Sequence, residues 1–193
     1  MENTRQECEA LVEALRGRGY EAEFAATAAE AAEMVMDEAA GAESVGWGGS
    51  ETLKEIGVRD RLAESGREIR DHRLDMDLFL LSANAVTADG VIVNIDGFGN
   101  RVAASICGPK RTVYVIGRNK IVRGGIDDAV ARAKNKASPP NCRRLGKKTP
   151  CAVADRCADC DSPDRICKVT AVFERRPGGM PTKVIVVDED LGY

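Results

Sequence analysis

The strongest constraint on the fold is a central stretch, residues 78–101, which reads LFLLSANAVTADGVIVNIDGFGNR. It holds two short apolar runs, Leu78–Leu81 and residues 91–95, and the second run is rich in β-branched residues. Apolar runs of this length, bounded by Gly, Asn and Asp, are typical of buried strands rather than helices. Any fold for this chain must therefore bury two strands at its centre.

Helical and strand-like patterns alternate along the chain as far as residue 137, which predicts an α/β fold with a mainly parallel sheet flanked by helices. The helix over residues 126–137 is predicted to stop at Ser138, Pro139 and Pro140. Near the end, an alternating segment (169–175), a Pro-Gly turn and an apolar segment (183–187) predict a C-terminal β-hairpin.

The composition limits the class of protein. A chain of 193 residues suits one α/β domain, taken here as residues 1–193. The net charge of −3 argues against a nucleic-acid-binding protein, which would present a concentrated basic face. No apolar run approaches the roughly 20 residues of a membrane span. The acidic, amphipathic N-terminal segment lacks an apolar signal core, which predicts a cytoplasmic protein.

Small and polar residues follow the two central strands, where ligands bind in open α/β sheets. Each residue alone is better explained as turn chemistry, but the whole set favours a binding site. Arg101 is expected to be an exposed cation that makes a charge-assisted, bidentate contact with a carboxylate or phosphate. The predicted ligand-binding residues in this stretch are Asn84, Gly97, Gly99, Asn100 and Arg101.

A second candidate anion site precedes a helical pattern. Gly48, Gly49, Ser50 and Thr52 combine a glycine pair with hydroxyls at a helix start, where backbone N–H groups and the helix dipole favour anions. The alternative is a plain N-cap by Ser50 after a tight turn.

Four residues are candidates for acid–base catalysis. Lys120 follows the clearest strand, residues 112–117, and either contacts an anionic substrate or is simply solvated. His72 is the single histidine and lies among charged residues, which indicates an exposed loop rather than a catalytic base. The candidate catalytic residues are Glu51, Asp89, Asp96 and Lys120.

Residues 141–168 form a cysteine-rich segment, predicted to be a loop. Cys157 and Cys160 have the C-x-x-C spacing that lets two thiolates reach one metal ion, and Cys151 and Cys167 complete a set of four. Four thiolates suit either zinc or a [4Fe–4S] cluster, and ligand softness does not distinguish the two. The alternative is reduced thiols or a disulfide. Outside the segment, Cys107 is predicted to be a core residue.

Several of these segments resemble the LUD (lactate-utilisation) domain family. The resemblance is carried by GWGGSETL at 46–53, SANAVTADG at 82–90, NIDGFGNRV at 94–102, GRNKIV at 117–122 and the cysteine-rich segment. It implies a fold similar to ribose-5-phosphate isomerase, glucosamine-6-phosphate deaminase, the CoA transferases and a formyl-folate cyclo-ligase. It also implies a link to the oxidation of L-lactate to pyruvate beside iron–sulfur proteins.

Three functional hypotheses follow. The first is a redox-associated role in lactate or organic-acid utilisation, with a cysteine-bound iron–sulfur cluster or zinc, a small anionic metabolite and an iron–sulfur redox protein as partner. The second is a non-redox isomerase, transferase or cyclo-ligase that acts on a phosphorylated or carboxylated small molecule. The third is a non-catalytic partner protein in which zinc is a structural staple.

Overall fold

The two central apolar runs both form strands, but in different sheets. The computed structural model describes residues 4–71 and 73–193, and His72 lies outside the described residues. The helices are α1 (Arg5–Gly17), α2 (Ala28–Ala39), α3 (Glu51–Glu55), α4 (Val58–Glu64), α5 (Asn100–Ala104), α6 (Ile126–Arg132), α7 (Ser138–Arg144) and α8 (Pro150–Ala154). The strands are β1 (Glu21–Ala25), β2 (Ser44–Trp47), β3 (Glu68–Asp71), β4 (Leu78–Leu81), β5 (Ala85–Thr87), β6 (Ile92–Asp96), β7 (Arg111–Gly117), β8 (Ile121–Val122), β9 (Val169–Phe173) and β10 (Thr182–Val187).

The large sheet has six strands in the order β1-β10-β7-β4-β2-β3, and every pair in it is parallel. Strand β4 is apolar throughout because both of its faces are buried. Phe79 and Leu81 pack on one face of the sheet against α1, whereas Leu78 and Leu80 pack on the other face against α2, α3 and α4. Because both faces are covered, neither can carry polar side chains. The predicted α/β class with a mainly parallel, helix-flanked sheet is confirmed.

The small sheet has the order β8-β5-β6-β9. Strand β6 is antiparallel to both β5 and β9, while β5 is parallel to β8. Strand β5 follows β4 in the chain and β8 follows β7, so this sheet is attached at the carboxyl edge of the large sheet. The short strand β5 was not predicted, because its three residues fall within a polar segment.

The predicted C-terminal hairpin is wrong. Strand β9 pairs with β6 in the small sheet, whereas β10 inserts between β1 and β7 in the large sheet. All six residues of β10 are buried, and β9 leaves Val169 and Val172 exposed. Strand β10 has apolar side chains on both faces, so it is most stable inside the large sheet, which is covered on both sides. If β10 paired with β9 in a hairpin, one of its apolar faces would be exposed to water.

The predicted helix stop at Ser138 to Pro140 is also wrong. After α6 the chain makes a π-helical turn, Ala133–Ala137, and continues directly into α7. Pro139 and Pro140 lie in the first turn of α7, where a missing N–H removes no intrahelical hydrogen bond. The cysteine-rich segment therefore begins inside a helix and includes α8, and only its later part is irregular. Within residues 4–71 and 73–193, no helix has the length and apolar character needed to cross a membrane.

Candidate functional site

The candidate site lies beyond the carboxyl ends of β2, β4 and β7, which are neighbours in the large sheet. A small recess of about 40 Å³ is found there, and it adjoins a larger cleft of about 610 Å³. The recess is lined by Gly49, Ser50, Glu51, Thr52, Ser82, Ala83, Asn84, Arg101, Lys120, Ala137, Asn141, Arg144 and Tyr193. Parallel strands bring these chain segments to one edge, which is where ligands bind in open α/β sheets.

Lys120 lies in the wall of the recess and is only 3% exposed. It ends the 3₁₀ turn that follows β7. Its Nζ donates hydrogen bonds to Thr52 Oγ1 at 2.6 Å and to Ser82 Oγ at 2.7 Å. Within the described residues, no carboxylate lies within ion-pair distance of the amine. Burial, and then the charge of Arg132, lower the pKa of Lys120 to about 7, with Glu55 opposing the shift.

Thr52 and Ser82 are themselves held by the main chain. Thr52 Oγ1 donates to the carbonyl oxygen of Leu191 at 3.1 Å, and Ser82 Oγ donates to that of Val115 at 2.6 Å. Each hydroxyl has one hydrogen, so both hydroxyls accept rather than donate at Lys120. The sequence analysis missed Ser82, although it is the first residue after β4 and so stands at a predicted strand end.

Arg132 of α6 positions the segment that carries Lys120. Its guanidinium donates to the carbonyl oxygen of Asn119 at 2.7 and 3.1 Å and to that of Asn84 at 2.6 Å. The 3₁₀ turn after β7 is thereby tied to the link between β4 and β5. Burial lowers the pKa of Arg132 to about 10. The sequence gives no local signal for this role, because the contact joins distant parts of the chain.

Arg101 lines both the recess and the cleft, but only 16% of its side chain is exposed, contrary to the expected exposed cation. Its guanidinium donates to the carbonyl oxygen of Ile95, and its Nε lies 3.9 Å from Asp96 Oδ2. Burial lowers the pKa of Arg101, and the Asp96 charge opposes that change. Gly48 makes room for Arg101, because a Cβ at this position would lie 2.7 Å from Arg101 Cγ.

Asp96 at the end of β6 organises the turn before α5. Its carboxylate accepts the backbone N–H groups of Phe98 at 3.1 Å, Arg101 at 2.9 Å and Val102 at 3.2 Å. Burial alone would raise the pKa of Asp96, but the Arg101 charge and these backbone donors hold it below its ordinary value. Asp96 is thus an ionised helix cap that holds Arg101 in place, and Gly99 supplies the left-handed backbone (φ +90°) just before α5.

The segment after β2 joins the site through its backbone and hydroxyls. Helix α3 is a single short turn, and Ser50 Oγ accepts the N–H of Leu53 at 3.3 Å, as in the N-cap alternative. Gly49 lines both the recess and the cleft, and a Cβ there would meet no described atom within 4 Å. Glu51 lines the recess, with a carboxylate oxygen 3.4 Å from Arg144 Nε.

Asn84 connects the two sheets beside Lys120. Its side-chain oxygen accepts the N–H of Ile95 at 2.8 Å, and its own N–H donates to Asn94 Oδ1 at 3.1 Å. Asn84 lines the recess and the cleft, while Gly97 and Asn100 line the cleft. Asn84, Asp96, Gly97, Asn100 and Arg101 of the central stretch are therefore gathered at one place, and Gly99 lines neither the recess nor the cleft.

The cleft is rich in cations. Two carboxylates, Asp96 and Asp164, lie among the described lining residues, and both accept backbone N–H groups. Asp96 caps the turn before α5, and Asp164 accepts the N–H of Lys148 at 2.9 Å. Phe98 stands at the cleft with 95% of its surface exposed. The cationic lining residues are Arg101, Arg144, Lys147, Arg165 and Lys168. Apart from Arg101, the sequence analysis assigned none of them to the site, because they come from α7, the link between α7 and α8, and the irregular segment after α8.

Asp89 is not brought to the recess or the cleft. It lies in the turn between β5 and β6, where its carboxylate pairs with Arg18 at the end of α1 and accepts the Thr87 hydroxyl. Its side chain is 68% exposed. This geometry ties the small sheet to α1 and gives Asp89 no route to a ligand bound near Lys120.

The cysteine-rich segment packs beside the cleft without forming a ligand set. Cys142 Sγ and Cys151 Sγ are 3.7 Å apart, and Cys167 Sγ lies 3.4 Å from Ser138 Oγ. Over residues 4–71 and 73–193, no group of three or more His, Cys, Asp or Glu side chains is arranged to hold a metal ion. The predicted ligands Cys151, Cys157, Cys160 and Cys167 thus do not form a metal site as placed. Cys107, predicted in the core, is exposed.

A parallel sheet flanked by helices, with a buried lysine and a cation-lined cleft at its carboxyl edge, defines a protein of the α/β class. The match to a family model is more specific: the LUD domain matches residues 8–187, so the chain belongs to the LUD domain family. The resemblance inferred from the sequence is confirmed.

A solved structure has the same fold. It is a DUF162 family protein from Deinococcus radiodurans, with a TM-score of 0.56, 16% sequence identity, and coverage of 94% of this chain and 96% of that chain. Among curated proteins, no match to this chain was found.

Proposed function

We propose that this protein binds a small phosphorylated or carboxylated metabolite in the cleft and acts on it by acid–base chemistry at Lys120. One observation carries the proposal. A buried lysine without an ion-pair partner in the described chain lies in a recess that adjoins a cation-lined cleft. Burying an amine in this way is unfavourable for folding, and such residues concentrate at functional sites.

The charge distribution supports an anionic ligand. Of the guanidinium groups in the described lining of the recess, Arg144 is the more accessible, with its side chain 35% exposed against 16% for Arg101. Glu51 and Asn141 hold Arg144 in the recess wall through an ion pair and hydrogen bonds of 2.7 and 3.1 Å. A phosphate or carboxylate that binds there gains charge-assisted hydrogen bonds in a partly dehydrated site.

Lys120 suits proton transfer near neutral pH. With a pKa of about 7, the amine is divided between its neutral and protonated forms at pH 7, so it can both take and give a proton. Glu51 is the carboxylate of the recess and supplies a second proton-transfer group. This arrangement fits the isomerase, transferase or cyclo-ligase hypothesis better than it fits redox chemistry.

The test is calorimetric titration with inorganic phosphate and with lactate. Arg144→Gln is expected to weaken binding about tenfold or more, because a charge-assisted hydrogen bond contributes roughly 1.5–3 kcal/mol. Arg143→Gln is the matched control: it removes the same charge one position away, from a side chain paired with Asp155 outside the cleft. Equal affinities in the two variants, or no binding by the wild type, would refute the proposal.

A second candidate is the redox-associated role in lactate-type organic-acid utilisation, with an iron–sulfur redox protein as partner. The close approach of Cys142 to Cys151 supports it, because it places two thiols of the cysteine-rich segment side by side next to the cleft. Cys142 is then an additional ligand candidate beside Cys151, Cys157, Cys160 and Cys167. No catalytic step is assigned to the metal, since these residues do not form a ligand set as placed.

Metal analysis of anaerobically purified protein tests this second candidate. A [4Fe–4S] cluster or zinc bound by the segment predicts metal in the wild type and its loss in both Cys157→Ser and Cys160→Ser. Cys107→Ser is the control, because that thiol is exposed and outside the segment. Metal-free wild-type protein, or equal metal content in all four proteins, would contradict the prediction.

A further inference from the structure

Two hydrogen bonds hold the Lys120 amine, one for each N–H donor that its neutral form has. A neutral amine has two N–H donors and one lone pair. The two donors are used by Thr52 and Ser82, whose own hydrogens go to backbone carbonyl oxygens. No other hydrogen bond to Nζ is present in the described part of the chain. In the neutral amine the remaining position on the nitrogen is the lone pair, and Lys120 lines the recess, where that lone pair can act as a nucleophile.

The recess beside this amine is small. Its volume of about 40 Å³ is far below the roughly 300 Å³ at which small-molecule pockets begin, so it holds only part of a metabolite. The rest of a ligand must remain in the adjoining cleft, among Arg144, Lys147 and Lys168. The geometry selects a molecule with an anionic group at one end and a compact, reactive group at the other.

We propose that Lys120 condenses with the carbonyl group of an aldehyde or ketone that also carries a phosphate or carboxylate, and forms an imine. This inference rests on the proposed function and names the substrate class of the same site. A carbonyl group fits the recess by size, and it is an electrophile that an amine lone pair attacks directly. Arg101 and Arg144 are placed to orient the anionic end of the molecule.

The bonds and protons balance without an oxidant or reductant. The Nζ lone pair forms a C–N bond while the carbonyl π electrons move to oxygen, which takes a proton. One amine proton and the resulting hydroxyl then leave as water, so amine and carbonyl give imine and water. Glu51 lines the recess and can relay these protons. The protonated imine keeps one N–H, which donates to the hydroxyl of either Thr52 or Ser82. The other hydroxyl is then free to bind the departing oxygen.

Reductive trapping tests the proposal. Wild-type protein is incubated with glycolaldehyde phosphate or glyoxylate, reduced with borohydride and mapped by peptide mass spectrometry. Uncharged glycolaldehyde is the matched control. At pH 7 about half of the Lys120 amine is neutral, against on the order of one in two thousand for an ordinary lysine. The stable adduct should therefore lie mainly on Lys120 with the two anionic probes, and at least about tenfold less of it should form with glycolaldehyde.

Two variants sharpen the experiment. Lys120→Met should abolish the adduct, and Lys54→Met should retain it, because Lys54 is an exposed lysine on α3 that does not line the recess. If Lys120→Met does not fold, the position of the adduct in the wild type still decides the question. Calorimetric binding of glycolaldehyde phosphate without an adduct on Lys120 would overturn the imine and leave the proposed function standing. An adduct spread over the surface lysines would overturn it as well, whereas absence of any binding would overturn both.

Discussion

Gly48 and Gly49 are adjacent and have opposite structural roles. A Cβ on Gly48 would lie 2.7 Å from Arg101 Cγ and 2.9 Å from the Phe79 ring. Because Gly48 has no side chain, the Arg101 side chain can pack at this position. A Cβ on Gly49 would meet no described atom within 4 Å, and the residue lines the cleft. The glycine pair predicted as an anion cradle thus contains one packing residue and one residue that borders the ligand space.

This contrast gives a prediction at the residue scale. Gly48→Ala should destabilise the protein by roughly 1–3 kcal/mol, because extra atoms in a packed interior force their neighbours apart. Gly49→Ala should change stability by less than about 0.5 kcal/mol. Urea denaturation of the two variants and the wild type measures both effects. Equal stabilities for the two variants would show that Arg101 is not packed against Gly48.

Among the elements, the local patterns predicted most of the strands and helices. The unbroken apolar run of β4 and the apolar stripe of α1 are formed by residues close together in the sequence, so the periodicity of the sequence predicts them. The wrong prediction of a C-terminal hairpin concerns which strands pair with each other. The alternation of β9 and the apolar run of β10 each predict a strand, but adjacency along the chain does not determine which strands pair.

The same limit explains the site. Residues 82–101 indicated where polar groups would gather, because strand ends are visible in the sequence. Lys120 was a candidate, but its contacts with Thr52 and Ser82 depend on β7, β4 and β2 being neighbours, which only the sheet order provides. Arg132 and Arg144 come from helices that pack over the edge of the sheet, and no spacing rule relates them to the strands below.

For the molecule as a whole, the buried lysine makes stability depend on pH. Folding lowers the pKa of Lys120 from its usual 10.5 to about 7. Between these values the unfolded chain carries a proton on Lys120 that the folded protein has released, so raising the pH favours the folded state. The burial of Lys120 therefore destabilises the folded protein most below pH 7, and this destabilisation is absent above about pH 10.5.

The stability of wild type relative to Lys120→Met should therefore rise steadily from about pH 7 towards pH 10. Chemical denaturation of both proteins across this range measures the difference, and other titrating groups cancel in the comparison. The variant also serves as the control for loss of the lysine itself. Parallel stability curves would mean that the folded protein keeps Lys120 protonated with an ordinary pKa, which would remove the neutral nucleophile.

The position of β10 also bears on how a nascent chain reaches this structure. Strands β1 and β7 leave the ribosome well before β10, yet β10 lies between them in the sheet. Until β10 arrives, both strands have unpaired edges that can associate with other chains. Leu191, whose carbonyl oxygen holds Thr52 beside Lys120, follows β10 in the sequence. The contact between Leu191 and Thr52 therefore forms only after β10 has been synthesised, so the arrangement around Lys120 depends on a strand made late in translation.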